Sequence, residues 1–231
     1  MIATVCFTLS LLHAIQAPAP AALSPFARAK AEALIHDRLP CLGCHELDGE
    51  GGHIGPSFDD IGSRTTRPEY VEGVIRDPQL LSPGTMMPRI PMSPATLHLV
   101  ATYLVQHRPS QAHASASPLL GTRAPDSTST LSPAALYGHL CASCHGKTGG
   151  GDGPNARYLP VRPTAHADSA YMSSRTDDDL FDTIFAGGYV MNRSNRMPPF
   201  GATLSRPQIH ALVGYLRSLC RCAGPIWSRN E

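Results

Sequence analysis

Two five-residue runs of one pattern constrain this chain more than anything else in it. They are Cys41-Leu42-Gly43-Cys44-His45 and, a hundred positions later, Cys141-Ala142-Ser143-Cys144-His145. The spacing C-x-x-C-H is that of covalent haem attachment. Two cysteines three positions apart share one helical turn, so both thiols can form thioethers to the vinyl groups on one porphyrin edge. The histidine that follows is placed to send a ring nitrogen to the iron as proximal ligand. Each run is followed, at domain-scale distance, by a Met-Pro pair, Met87-Pro88 and Met197-Pro198. A zinc site would need four such ligands converging on one ion, yet each pair heads its own repeat. A redox dithiol would sit in a strand-helix setting, and no strand-like alternation of useful length is present.

The 231 residues are long enough for one large domain or two small ones, and the duplicated motif favours two. Domains of that size bury a modest fraction of their surface, and a haem in each supplies missing apolar mass. With 19 basic and 18 acidic residues the net charge is close to zero, which suggests neither nucleic acid nor an anionic membrane as partner. Seven cysteines occur, and the two motifs claim four of them. Cys220 and Cys222 could pair with each other or bridge two chains. Residues 1–27 carry no Lys, Arg, Asp or Glu, and Ile2 to Leu12 is an apolar run followed by an Ala- and Pro-rich stretch. That is the pattern of an export signal over residues 1–23, with a retained N-terminal anchor as the lesser reading.

From residue 24 the chain states one plan twice. Ser24-Pro25 opens a helix ending near Pro40, with Phe26, Ala29, Ala33 and Leu34 as its apolar stripe. The first C-x-x-C-H follows, then a Gly-rich loop closed by Gly55-Pro56-Ser57-Phe58. A helix begins at Arg67-Pro68-Glu69, a turn-rich loop carries Met86-Met87-Pro88, and Ser93-Pro94 caps a last helix with Leu97, Val100, Ala101 and Leu104 inward. Residues 110–131 are rich in Ser, Ala, Pro and Thr and read as a linker. The second statement runs from Ser132-Pro133 through Cys141–His145, a Gly-rich loop to Pro154, and a helix from Thr176 with Leu180, Ile184 and Phe185 as its apolar face. It closes with Asn195-Arg196-Met197-Pro198-Pro199 and a helix from Ser205. Leu97-His98…Tyr103-Leu104 echoes Ile209-His210…Tyr215-Leu216. The expected fold is all-α: two tandem small helical domains, 24–109 and 132–222, with a tail at 223–231.

Both halves resemble the class I c-type cytochromes, and the whole chain looks like a dihaem cytochrome c. The resemblance covers roughly residues 24–107 and 132–219. It implies two covalently bound haem c groups, attached at Cys41 and Cys44 and at Cys141 and Cys144, with His45 and His145 as proximal ligands. It also implies a methionine on the far side of each iron: Met87, ahead of its neighbour Met86, and Met197. Pro56 resembles the family proline whose carbonyl accepts from the proximal histidine, and Arg64 the arginine near the haem propionates. Pro154 and Arg162 have the same separation in the second half, with Pro160 a rival for the proline role. His53 reads as a solvated loop histidine, His98 and His210 as polar-face residues.

The function implied is single-electron transfer between exported, periplasmic redox partners, a dehydrogenase or a terminal oxidase. The chain would act as a free carrier or as the cytochrome subunit of such a complex, without catalysis of its own. Nucleic acid is not expected, and membrane association only through a retained N-terminal segment or a partner. The other reading, a dihaem peroxidase or sulfur-compound oxidoreductase, needs an iron with an open position, and a Met-Pro in both halves argues against it.

Overall fold

The structure is a computed structural model that describes residues 21–109 and 131–228; the signal-like start and nearly all of the linker lie outside it. The described residues are mostly helical. The first half contains α1 (Pro25–Asp37), α2 (Ile61–Arg64), α3 (Pro68–Arg76), α4 (Pro78–Leu81) and α5 (Pro94–Gln106). The second contains α6 (Pro133–Leu140), α7 (Ala142–His145), α8 (Ser169–Ser173), α9 (Asp177–Val190) and α10 (Arg206–Cys220). Two strands of two residues each, β1 (Glu46–Leu47) and β2 (Glu50–Gly51), form a minimal antiparallel hairpin directly after the first C-x-x-C-H.

The helix starts follow from local chemistry. Ser24, Ser93, Ser132 and Ser205 each turn a side-chain oxygen onto a backbone N–H of the first turn. Each also has a proline at the first or second helical position, where no N–H is missed. In each half the first helix packs against the last: α1 against α5, α6 against α10. The buried apolar residues accordingly form two clusters. One gathers Ala31, Ile35, Val71, Ile75 and the inner face of α5. The other gathers Leu136, Tyr137, Leu180, Phe181, Ile184 and the inner face of α10.

Two apolar faces lie elsewhere than the sequence pattern places them. In α1 the buried positions are Ala31 and Ile35, while Phe26 is 79% exposed and Ala29 and Ala33 face solvent. The stripe is rotated because α1 meets α5 along the 31/35 edge, leaving the helix start beyond the core. In α9 Phe181 takes the buried place expected for Phe185.

The halves touch directly. Asn195 donates to the carbonyl of His36 at 2.9 Å, and the Arg89 N–H to the hydroxyl of Thr203 at 2.9 Å.

Candidate haem-attachment sites

The two C-x-x-C-H runs fold alike. In each, the N–H of the second cysteine and that of the histidine both donate to the carbonyl of the first cysteine, at 3.1 and 3.0 Å in the first copy and 3.2 and 2.9 Å in the second. One tight turn thus presents both thiols and the imidazole. All four cysteines are free thiols. Burial pushes Cys41, Cys44 and Cys141 up to about 12 and raises Cys144 as well. Reactive dithiols are tuned the other way, so the pairs are not built as redox-active thiolates.

The two motif histidines are fixed in one tautomer. The His45 Nδ1 lies 2.8 Å from the Pro56 carbonyl, and the His145 Nδ1 lies 2.9 Å from that of Thr164. A carbonyl can only accept, so each Nδ1 carries the proton. Burial holds both rings below the ordinary histidine value, hence neutral, and leaves the Nε2 lone pair for a metal. A ring stacks flat on each imidazole: Phe58 on His45 at 4.5 Å and 13°, His166 on His145 at 4.1 Å and 16°. His166 is held in turn by the Tyr137 hydroxyl, 3.1 Å from its Nδ1. Gly55 is required here, because a Cβ at that position would run into the His45 ring.

Thr164 displaces both prolines expected in the second half, Pro154 and Pro160. The carbonyl partner lies 11 residues beyond the histidine in the first half and 19 beyond it in the second. The longer loop moves the accepting carbonyl past Pro154, whose neighbourhood packs on the cysteine turn instead. His166, two residues after Thr164 as Phe58 is two after Pro56, had no motif to mark it.

A cavity of about 350 Å³ opens beside the second motif. Cys141, Cys144, His145, Met197, Leu180, Ile184, Phe200, Leu212 and Leu216 line it. Met197 reaches it because α9 breaks at Gly187, whose φ of 79° is left-handed. A Cβ there would meet the backbone of Met197 to Pro199. The Gly188 N–H then donates to the Met197 carbonyl at 3.0 Å. In the first half the adjacent methionines part. Met87 packs on its own core and is pinned by the amide of Gln79 on its carbonyl at 2.7 Å, whereas Met86 lines the cavity of the second half.

The cavity wall also holds cations. The Nε of Arg193 and the Nε and one terminal nitrogen of Arg196 are buried without a hydrogen-bond partner. Arg162 lines the same wall and donates to the carbonyls of Gly150 and Gly151. Arg64, by contrast, is exposed and faces Asp60 at 3.5 Å on its own turn.

The junction of the halves runs through the two motifs themselves. Cys44 and Gly43 line the cavity beside Cys144. Asn155, fully buried, donates to the Gly43 carbonyl at 2.9 Å, contacts the Cys144 sulfur at 3.3 Å and accepts from the His53 N–H at 2.9 Å. His53 is therefore not a solvated loop residue. Its side chain is 11% exposed, its ring lies 3.9 Å from that of Tyr158 across the junction, and its Nδ1 is 3.7 Å from buried Glu46. Cys220 and Cys222 pair with each other. His98 faces Glu72 at 2.8 Å on the surface.

Residues 128–216 match the family model of cytochrome c oxidase, cbb3-type, subunit III. Over 78 residues the chain is 38% identical to the cytochrome c oxidase subunit 2 of Alkalihalophilus pseudofirmus, a match covering 30% of this chain and 23% of that protein. Among solved structures, a chain of the Kuenenia stuttgartiensis reducing HAO-like protein complex aligns over 88% of this chain and 99% of its own length. It is 17% identical, with a TM-score of 0.32, below the level of a shared fold. The first two matches support a c-type cytochrome with covalently bound haem c. No helix among the described residues is long and apolar enough to cross a membrane.

Proposed function

We propose that the chain is a dihaem c-type cytochrome: two tandem domains, 24–109 and 132–222, passing single electrons between exported redox partners. Cys41 and Cys44 would hold one haem c with His45 and Met87 as its iron ligands, and Cys141 and Cys144 the other with His145 and Met197. The observation that carries the reading is the duplicated proximal geometry, two neutral imidazoles with Nδ1 committed to a carbonyl and Nε2 left bare.

The residues of the second cavity suit the group. Its wall is apolar where a porphyrin face would lie, and the unpartnered donors of Arg193 and Arg196 ask for an anion such as a propionate. These arginines take the role that separation alone gives to Arg64 and Arg162. Bound haem would supply a one-electron iron couple, and a methionine thioether among the residues holding it would favour the ferrous state and raise the potential. The chain's part is to keep the imidazole and thioether side chains fixed, so that little reorganises. Placing Cys44 and Cys144 on one cavity brings the two attachment edges together, which shortens the path between sites.

The likeness to two oxidase subunits favours a terminal oxidase as the partner on the acceptor side, with the chain either docking to it or forming one of its subunits. Haem quantification with a spectroelectrochemical titration tests the proposal. Two haems per chain and two one-electron steps are expected. One haem per chain, or irreversible substrate turnover at one iron, would contradict it. Met197→Ala should lower one potential on the order of 0.1–0.2 V, within the ~0.8 V over which axial ligands set haem potentials, and leave the other unchanged.

A further inference from the structure

Three metal-ligating side chains that neither C-x-x-C-H motif uses meet in the first half. Asp48 lies in the turn between β1 and β2, Asp59 in the short 3₁₀ turn at Phe58–Asp60, and His107 directly after α5. The His107 Nε2 is 3.2 Å from an Asp48 carboxylate oxygen and 3.3 Å from one of Asp59. The three ligand atoms form a single cluster. Two atoms each ~2.1 Å from one ion at the tetrahedral angle lie ~3.4 Å apart, so these separations match the span of a small cation's coordination shell.

The hydrogen bonding around His107 says what the cluster lacks. The ring is 6% exposed, and its Nδ1 is 3.2 Å from the Tyr103 hydroxyl. The Nε2 is buried, lies close to both carboxylates and makes no well-aligned hydrogen bond to either. A cation standing between them would satisfy the nitrogen and both oxygens at once. The Tyr103 hydroxyl on Nδ1 is the kind of outer-shell contact that orients a ligating imidazole.

We propose that Asp48, Asp59 and His107 bind a divalent transition-metal ion of the zinc class. One imidazole and two carboxylates suit zinc or its first-row neighbours, whereas calcium and magnesium prefer all-oxygen shells. The Asp59 side chain is 5% exposed and His107 is sealed, but Asp48 is 39% exposed and opens the site to solvent, where water completes the shell. The ion would tie the 46–60 segment, which carries Pro56, to the end of α5. The site is thus a clip for the loop that orients His45.

Calorimetric titration of Zn²⁺ into the chelator-treated full-length haem protein tests this, with metal analysis after dialysis. One ion per chain is expected for the wild type, with the haem spectrum unchanged. Asp48→Asn and Asp59→Asn should each weaken binding roughly 100-fold or more, beyond the 10–100-fold typical of losing an outer-shell partner. Asp48 sits at a φ of 50°, which asparagine adopts equally well, so that variant keeps the fold. No uptake by the wild type, or equal affinity in all three proteins, would overturn the proposal and leave the cluster as an imidazolium held between two carboxylates.

Discussion

Thr164 and Pro56 do one job with unrelated side chains, because the job belongs to the backbone carbonyl. A reading of the sequence that looks for the proline finds Pro56, where the loop is short, and misses Thr164, where it is longer by 19 − 11 = 8 residues. The pair above each imidazole teaches the same lesson: Phe58 and His166 share a place and a stacking geometry, yet nothing in the residue types announces it. The exchange has a consequence for pH. Burial, then the neighbouring His145, lowers His166 to about 2, while an unfolded histidine titrates near ~6.5. Below ~6.5 the unfolded chain binds a proton that the folded chain refuses, so stability is lost as pH falls, by about 2 kcal/mol between pH 7 and 5 from this residue. Denaturant unfolding at the two pH values should show His166→Phe, which copies the first half, relieved of that loss. Equal pH dependence in both proteins would show that His166 is not the buried neutral base described.

Asn155 is the other residue no motif marks. It joins the Gly43 carbonyl, the His53 N–H and the Cys144 sulfur in one buried knot. Removing it strands two backbone groups, at about 1–3 kcal/mol each. Asn155→Ala should therefore lower Tm by roughly 5–10 °C, at 2–4 °C per kcal/mol for a chain of this size. A change under about 2 °C on that scale would mean the junction is wet and loose.

At the scale of elements, the Ser-Pro starts and the Leu97/Val100/Ala101/Leu104 face were legible because capping and 3.6-residue periodicity are local properties. The rotation of α1 onto Ala31 and Ile35 was not, since two small apolar stripes on one short helix differ only in which neighbour they meet. The break in α9 also depends on tertiary contact. Gly187 turns left-handed so that the Met197–Pro199 backbone can close against the helix. Gly187→Ala combines an unfavourable φ with a clash at that backbone, and it should push Met197 away from the cavity. The ferric iron–sulfur absorption of the oxidised protein should fall to about half, one of two contributions being lost, with the fold retained by circular dichroism. Undiminished absorption would place the second axial sulfur elsewhere, Met86 and Met172 being the other methionines on that cavity wall.

Across the whole molecule, the buried apolar residues gather in two clusters, one in each half, and the way the halves meet could not be read from the sequence. Contact between the halves falls on Gly43, His53, Asn155 and Asn195, polar and small residues that look like loop filler until the chain is folded. Joined there, Cys44 and Cys144 share a cavity, which fits the proposed single relay with two filled irons better than two independent carriers. Low-temperature electron paramagnetic resonance of the oxidised haem protein, integrated against total haem, tests that most directly. Two low-spin ferric signals of equal weight, unchanged by carbon monoxide challenge of the reduced form and reoxidation, are the predicted result. A high-spin signal accounting for one iron in the resting protein would contradict it.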